Sequence, residues 1–347
     1  MGTGHVMRCL ALAQAWQDTA GDVVFVMSEL TLAIVKRLRD ERMEIVRLES
    51  SPASVDDANE LAALAHERGA TWVVVDGYHF DSAYQRSIKD SALQLLFIDD
   101  TGEHGPYCAD LVLNQNAYAD QAMYRHRDPA TTVLLGPHYA LLRREFAQWR
   151  SWQRNFAPIA KHVLITMGGS DPHNVTAQVL DATRLADMES TEITVVIGGS
   201  STHTESLREV VSKFPGKIRL QVDVENMAEV MAGADLAISA AGCTCYELAL
   251  LQVPMVLIAL AENQTPTARA LANNGAATDA GWFDCLDPES FSNLIRTMIL
   301  DCDLRCTLAK NARRLVDGRA AHRVCQFLLR DQRAQSGTLS KLQVGAV

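Results

Sequence analysis

The sequence has no run approaching about eighteen uninterrupted apolar residues, so it offers no candidate membrane-spanning helix. The amino terminus, MGTGHVMRCLALAQAW, has no basic stretch leading into a sustained apolar segment, and the expected compartment is the cytoplasm. There is no paired C-x-x-C. The eight cysteines (Cys9, Cys108, Cys243, Cys245, Cys285, Cys302, Cys306, Cys325) stand singly or as C-x-C and C-x-x-x-C, which argues against a zinc ribbon and for reduced thiols. There is no surplus of positive charge either. With 32 Lys and Arg against 42 Asp and Glu the net charge is -10, which works against nucleic acid or an anionic membrane surface as a partner. No G-x-G-x-x-G follows a strand-like run, which weakens a nicotinamide oxidoreductase reading. His66, His104, His126, His138, His162, His173, His203 and His322 show no metal-ligand spacing, and neither a metal nor a cofactor is expected.

What is present is the composition of a globular chain. Its 347 residues, 48% hydrophobic and 21% charged, suit two domains with separate cores. Short β-branched runs alternate with helix-period segments: VVFVM, EIVRL, TWVVVD, LQLLFID, ADLVLN and TTVLLG in the first half, then HVLITM, TEITVVIGG, KIRLQVD, ADLAISAAG and VPMVLIAL in the second. Strand–helix alternation predicts α/β architecture: two doubly wound, Rossmann-like domains with parallel sheets and a cleft between them. The boundary is expected near 150 to 160, giving an N-terminal domain over 1–150 and a C-terminal domain over 160–332. Residues 287 to 332 read as helical, and 333–347 as a frayed tail.

In open parallel sheets ligands bind beyond the carboxyl ends of strands, so the loops there carry the chemistry. Gly2-Thr3-Gly4-His5 precedes a helix-like segment. A helix N-terminus disfavours an imidazolium, which would leave His5 neutral and able to accept a proton; the alternative is a solvated residue near a chain end. Gly168-Gly169-Ser170-Asp171-Pro172 follows a strand and opens a helix, with Asp171 as cap and Pro172 at the first helical position; phosphate-binding turns have the same ingredients. In AGCTCYELALL, Thr244-x-x-Glu247 fits a capping box, while Glu247 is equally placed to accept the two ribose hydroxyls of a nucleotide. Asn263 and Gln264 follow VPMVLIAL, placed either to bond sugar hydroxyls and acetamido groups or to form a polar turn. Asp76-Gly77-Tyr78-His79 and Asp99-Asp100 also follow strands, and each is equally a local cap or turn. Adjacent Asp99 and Asp100 would point to opposite sides, which argues against a shared-proton pair.

Taken in order, GTGHVMRCLALA, VDGYHF, FIDD, LVLNQNAYAD, LLGPHYALLRREF, TMGGSDPHN, the AGCTCYELALL run and AENQ resemble the UDP-sugar hydrolases of pseudaminic acid biosynthesis, the PseG family, from residue 2 to about 280. The resemblance implies a fold like that of the MurG-type glycosyltransferases (GT-B). It also implies hydrolysis of UDP-2,4-diacetamido-2,4,6-trideoxy-β-L-altrose to UDP and the free sugar. By position, His5 would be the base acting on water at C1. Gly4, Tyr78, Asn263 and Gln264 would line the sugar pocket, Gly169, Ser170, Cys243 and Thr244 the diphosphate, and Glu247 would take the ribose.

The chemistry suits so sparse a set. UDP leaves readily because its terminal phosphate is weakly basic, with a second pKa of about 6, so a base for water is needed more than an acid. Direct attack of water implies inversion without a covalent intermediate. Two departures from the family stand out. Its members carry a strand and an acidic residue ahead of the Gly-x-Gly-His loop, so a central strand is expected to be missing here, and cysteines flank Thr244 where hydroxyl residues are usual. The competing readings are a MurG-like glycosyltransferase, which needs an acceptor, and a non-catalytic sugar-nucleotide binder.

Overall fold

The computed structural model describes residues 4–28, 31–186, 191–335 and 341–345, with side chains to 329. The chain begins with α1 (Gly4–Gln17), β1 (Val23–Met27), α2 (Leu32–Asp40), β2 (Glu44–Arg47), α3 (Val55–Glu67), β3 (Ala70–Asp76), α4 (Ser82–Asp90), β4 (Gln94–Ile98), β5 (Leu111–Asn114) and β6 (Thr132–Leu135). It continues through β7 (His162–Thr166), α5 (Val175–Leu185), β8 (Glu192–Ile197), α6 (Thr204–Ser212), β9 (Lys217–Val222), α7 (Met227–Ala232), β10 (Leu236–Ala240) and α8 (Thr244–Leu250). Then come β11 (Met255–Ala259), α9 (Gln264–Asn273), β12 (Thr278–Trp282), α10 (Pro288–Leu300), α11 (Cys302–Leu315), α12 (Ala320–Gln335) and β13 (Lys341–Gly345).

Two compact units result. One comprises His5–Arg144 and the chain from Arg319 onward; the other comprises Glu145–Gly318. The sheet of the second unit runs β12-β11-β10-β7-β8-β9, all pairs parallel. Renumbered within the unit, this is the doubly wound order 3-2-1-4-5-6, whose switch point falls between β7 and β10. β7, β10 and β11 are almost wholly buried, as expected for strands covered on both faces.

The first unit reaches the same order by a different route. Its sheet is β2-β1-β13-β3-β4-β5-β6, and β13 fills the place of the first strand. β13 is parallel to both neighbours, with Val23 opposite Leu342 on one side and Trp72 opposite Leu342 on the other. Without it, the facing edges of β1 and β3 would leave backbone N–H and C=O groups unpaired in the middle of a buried sheet. The expectation of a missing central strand is thereby corrected: residues 341–345, read from the sequence as part of a frayed tail, form that strand. The rest of that tail, 336–340 and 346–347, lies outside the described residues.

The expected C-terminal limit of the second domain also shifts. α12, read as part of 160–332, belongs with the first sheet, because its apolar stripe of Ala321, Val324, Cys325 and Leu328 packs with Val6, Leu10, Trp16 and Trp72. Trp72 Nε1 donates to the Leu328 carbonyl at 3.1 Å, satisfying a buried indole N–H. α1 is buried on nearly all sides, which its Ala- and Leu-rich sequence permits without a polar face.

Candidate active site

In the first unit β3, β4 and β5 are parallel neighbours, so the residues just past their carboxyl ends lie side by side. Asp76 ends β3, Asp100 follows β4 by two residues, and Asn116 follows β5 by two. α1 brings His5 and Arg8 to this edge; three residues apart, they share a helix face.

These side chains form one buried network. His5 Nδ1 lies 2.7 Å from Asp76 Oδ1. Arg8 grips Asp76 in a bidentate pair, Nη2 to Oδ1 at 2.6 Å and Nε to Oδ2 at 2.7 Å. Its third nitrogen, Nη1, reaches Asp100 Oδ1 at 2.8 Å and Oδ2 at 3.0 Å. Asp100 also accepts from Asn116 Nδ2 at 2.7 Å and from the Tyr78 hydroxyl at 3.0 Å. Cys9 Sγ donates to Asp76 Oδ2 at 3.4 Å. The Tyr78 ring stands edge-on to the imidazole, with centroids 4.7 Å apart, and is itself partly exposed.

Asp76 is fully buried and His5, Arg8 and Asp100 nearly so, a setting in which unpaired charge is expensive. Burial alone would raise the Asp76 carboxyl, but the Arg8 guanidinium and then His5 hold it well below the usual carboxylate range. Asp100 is likewise lowered: burial opposes ionisation and Arg8 overcomes it. The Tyr78 hydroxyl is pushed up by desolvation and by Asp100, so it stays a donor. With Asp76 ionised, a neutral His5 that donates to it does so from Nδ1, and its lone pair then lies on Nε2.

Asp99 turns the other way, as adjacent residues in an extended strand must. It accepts from Thr101 N and Gly102 N, both at 3.0 Å, and from the Tyr107 hydroxyl at 2.6 Å, and so closes a turn.

In the second unit the loops after β7 and β10 flank the switch point. Gly168 has φ 83°, and Gly169 follows it. A Cβ on Gly198, just past β8, would lie 2.3 Å from the Gly169 carbonyl oxygen, so the two loops touch through backbone and position 198 admits only glycine. Asp171 caps α5, though not in the predicted register. It sits at φ 41°, and its carboxylate accepts from Val175 N at 2.8 Å and from Thr176 N at 2.9 Å, while Asn174 holds the cap position. Pro172 therefore lies outside the helix and not at its first turn.

After β10, α8 has Cys243 at its cap position and Thr244 as first helical residue, and the Cys243 side chain makes no cap hydrogen bond. The capping-box register with Thr244 as cap is thus not the one formed, and Glu247 is buried one turn in. Gln264 Oε1 accepts from Leu260 N at 3.0 Å, and its Nε2 lies 3.9 Å from where a Cβ on Gly242 would stand, so the loops after β10 and β11 meet. Asn263 caps α9.

Residues 162–322 match the glycosyltransferase family 28 C-terminal domain. A UDP-2,4-diacetamido-2,4,6-trideoxy-beta-L-altropyranose hydrolase of Campylobacter jejuni is 28% identical over 79% of this chain and 93% of that protein. The spore coat polysaccharide biosynthesis protein SpsG of Bacillus subtilis is 30% identical over 67% of this chain and 68% of that protein. The chain belongs to the family of SpsG and the PseG-type hydrolases. An uncharacterised protein of Methanocaldococcus jannaschii is 25% identical over 74% of this chain, which spans 53% of that longer relative. MurG from Acinetobacter baumannii has the same fold, with a TM-score of 0.65 at 18% identity over 94% of this chain and 96% of MurG.

For this member of the family the residues singled out in the sequence fall into two sets. His5 and Tyr78 meet in the first unit; Gly4 opens α1; Gly169, Ser170, Cys243, Thr244, Glu247, Asn263 and Gln264 lie on loops or first turns at the carboxyl edge of the second sheet. Reading motifs missed Arg8, Asp76, Asp100 and Asn116 as a connected group. The signal available was an arginine one turn beyond His5 in an otherwise apolar helix.

Proposed function

We propose that the chain hydrolyses a UDP-linked 2,4-diacetamido-2,4,6-trideoxy sugar, releasing UDP and the free sugar by direct attack of water at C1 in the cytoplasm, with His5 as general base. The observation that carries this reading is the His5–Asp76 contact at 2.7 Å, which gives the imidazole a basic Nε2 and a carboxylate to stabilise the imidazolium that forms. The hydrolase name of the Campylobacter jejuni relative, matched over 93% of its length, supports the choice of substrate.

His5 takes the proton of water as its oxygen bonds to C1, and the C1–O bond to UDP breaks with inversion. Gly4, Tyr78, Asn263 and Gln264 hold the sugar in this reading. Gly169, Ser170, Cys243 and Thr244 take the diphosphate through loop amides and short side chains, and Glu247 accepts the ribose hydroxyls. The C-terminal domain match and the MurG-like fold support a second reading, transfer of the sugar to a hydroxyl acceptor.

Incubation with the UDP-sugar and no acceptor separates them. Stoichiometric UDP and free sugar are expected. UDP release that requires an added acceptor would establish a transferase, and binding without turnover a sugar-nucleotide binder.

A further inference from the structure

His5 Nδ1 has two close neighbours of opposite charge: Asp76 Oδ1 at 2.7 Å and Arg8 Nη2 at 3.1 Å. With Nδ1 protonated, Arg8 cannot donate to it and instead shares the same carboxylate oxygen, which Nη2 reaches at 2.6 Å. Arg8 therefore competes with His5 for Asp76. A guanidinium held by Asp76 alone would neutralise that carboxylate and leave little of its charge for the imidazole.

Asp100 changes this balance. It takes Nη1 through both its oxygens and is itself held by Asn116 Nδ2 and Tyr78 Oη, so its charge is fixed in place. With His5 neutral, the buried group of Asp76, Asp100 and Arg8 carries one net negative charge. With His5 protonated it carries none. We propose that Asp100 and Arg8 are positioning residues for the base: Asp100 offsets Arg8, so that Asp76 fixes the His5 tautomer and the cluster reaches neutrality only when His5 has taken the proton from water. This rests on the reading of His5 as the base.

Among the described residues, the groups facing His5 come from four elements. α1 contributes Arg8 and Cys9; the end of β3, Asp76 and Tyr78. The end of β4 contributes Asp100, with Asp99 turned away onto Tyr107. The segment after β5 contributes Asn116, Asn114 and Tyr118, the last two donating to the Asp100 carbonyl at 3.2 Å and 2.6 Å. Among these, Asp76, Asp100 and Arg8 carry the charge, and a change in any one has a sign.

The test uses variants of the full chain, read by the pH profile of kcat and, wherever His5 is kept, by nitrogen-15 NMR of its ring. Asp100→Asn removes one negative charge and should move the ascending limb of the profile to lower pH by about 1 unit, with a lower plateau. Arg8→Met removes the positive charge and should move it to higher pH by a similar amount. The double variant restores the net charge and should return the limb toward its wild-type position, whereas a merely structural role makes the double variant worse than either single one. In the wild type the neutral ring should carry its proton on Nδ1, and in Asp76→Asn that preference should be lost. Limbs that move the same way in Asp100→Asn and Arg8→Met, or NMR showing the proton on Nε2 in the wild type, would overturn the proposal. A His5→Ala variant with normal turnover would instead remove the base assignment, while the ring titrations in the other variants would still decide the charge balance.

Discussion

The two units share one strand order and have opposite contents at the carboxyl edge of their sheets. In the first, the edge is crowded with ionised side chains that satisfy one another: Arg8 between Asp76 and Asp100, with His5, Tyr78 and Asn116 attached. In the second, the corresponding loops are rich in glycine and small polar residues, the Asp171 carboxylate there accepts from backbone N–H groups, and Gly198 packs directly on the Gly169 backbone. The buried arginines follow the same division. Arg8 pairs with carboxylates, whereas Arg154 is held by the carbonyls of Met231, Ala232, Ala234 and Leu251 and Arg305 by those of Ala157, Pro158, Met298 and Ile299. One scaffold thus carries two different edges: in the first unit an array of paired, buried charges, and in the second loops in which backbone packs on backbone.

The largest expected break in this comparison is His5→Ala. Turnover should fall by about 10²- to 10⁴-fold while UDP affinity, measured by calorimetry, stays near wild type. Equal losses in both would mean that the two units do not divide the work.

Acid should separate the units next. Asp76 and Asp100 have folded-state pKa values below those of the unfolded chain. A carboxyl of that kind contributes stability above its unfolded value, about 3.9, and loses that contribution as pH falls through the folded value. Below about pH 4 the first unit should therefore weaken, read from the fluorescence of its buried Trp16 and Trp72. Retention of their native signal at pH 2 would show that the network contributes little.

Gly198→Ala probes the second unit in isolation. Its Cβ would meet the Gly169 backbone, an overpacking that costs about 1 to 3 kcal/mol, and UDP affinity should drop while the His5 ring keeps its tautomer. The smallest effect is expected from Glu247→Ala, about tenfold weaker UDP binding for loss of a charged hydrogen-bond acceptor. A fall in melting temperature with unchanged affinity would assign Glu247 a role in the stability of the fold instead.

The long apolar runs were legible because a parallel strand covered on both faces has little room for polar residues; VVFVM, TWVVVD and VPMVLIAL each hold a strand. β12 was not, since TDAGW is only half-buried and carries a glycine and an aspartate. β13 was not, because KLQVG is short and mixed, and its place depends on partners far away in sequence. The periodicity of α12 was visible, but an apolar stripe does not say which sheet it will cover. At the candidate site, His5 stood out through its glycines. Asp76 and Asp100 read as turn residues because their shared partner, Arg8, lies in a helix whose face toward them is fixed only by the folded sheet.

The placement of β13 also bears on how the chain is made. Its register sets Val23 opposite Leu342, so the centre of the first sheet joins residues from the two extremes of the described chain. During synthesis the second unit has all of its strands available before the first can close its own. The central pairing of the first sheet therefore spans the whole of the second unit in sequence, a long-range contact whose loop-closure entropy is met only when β13 joins β1 to β3.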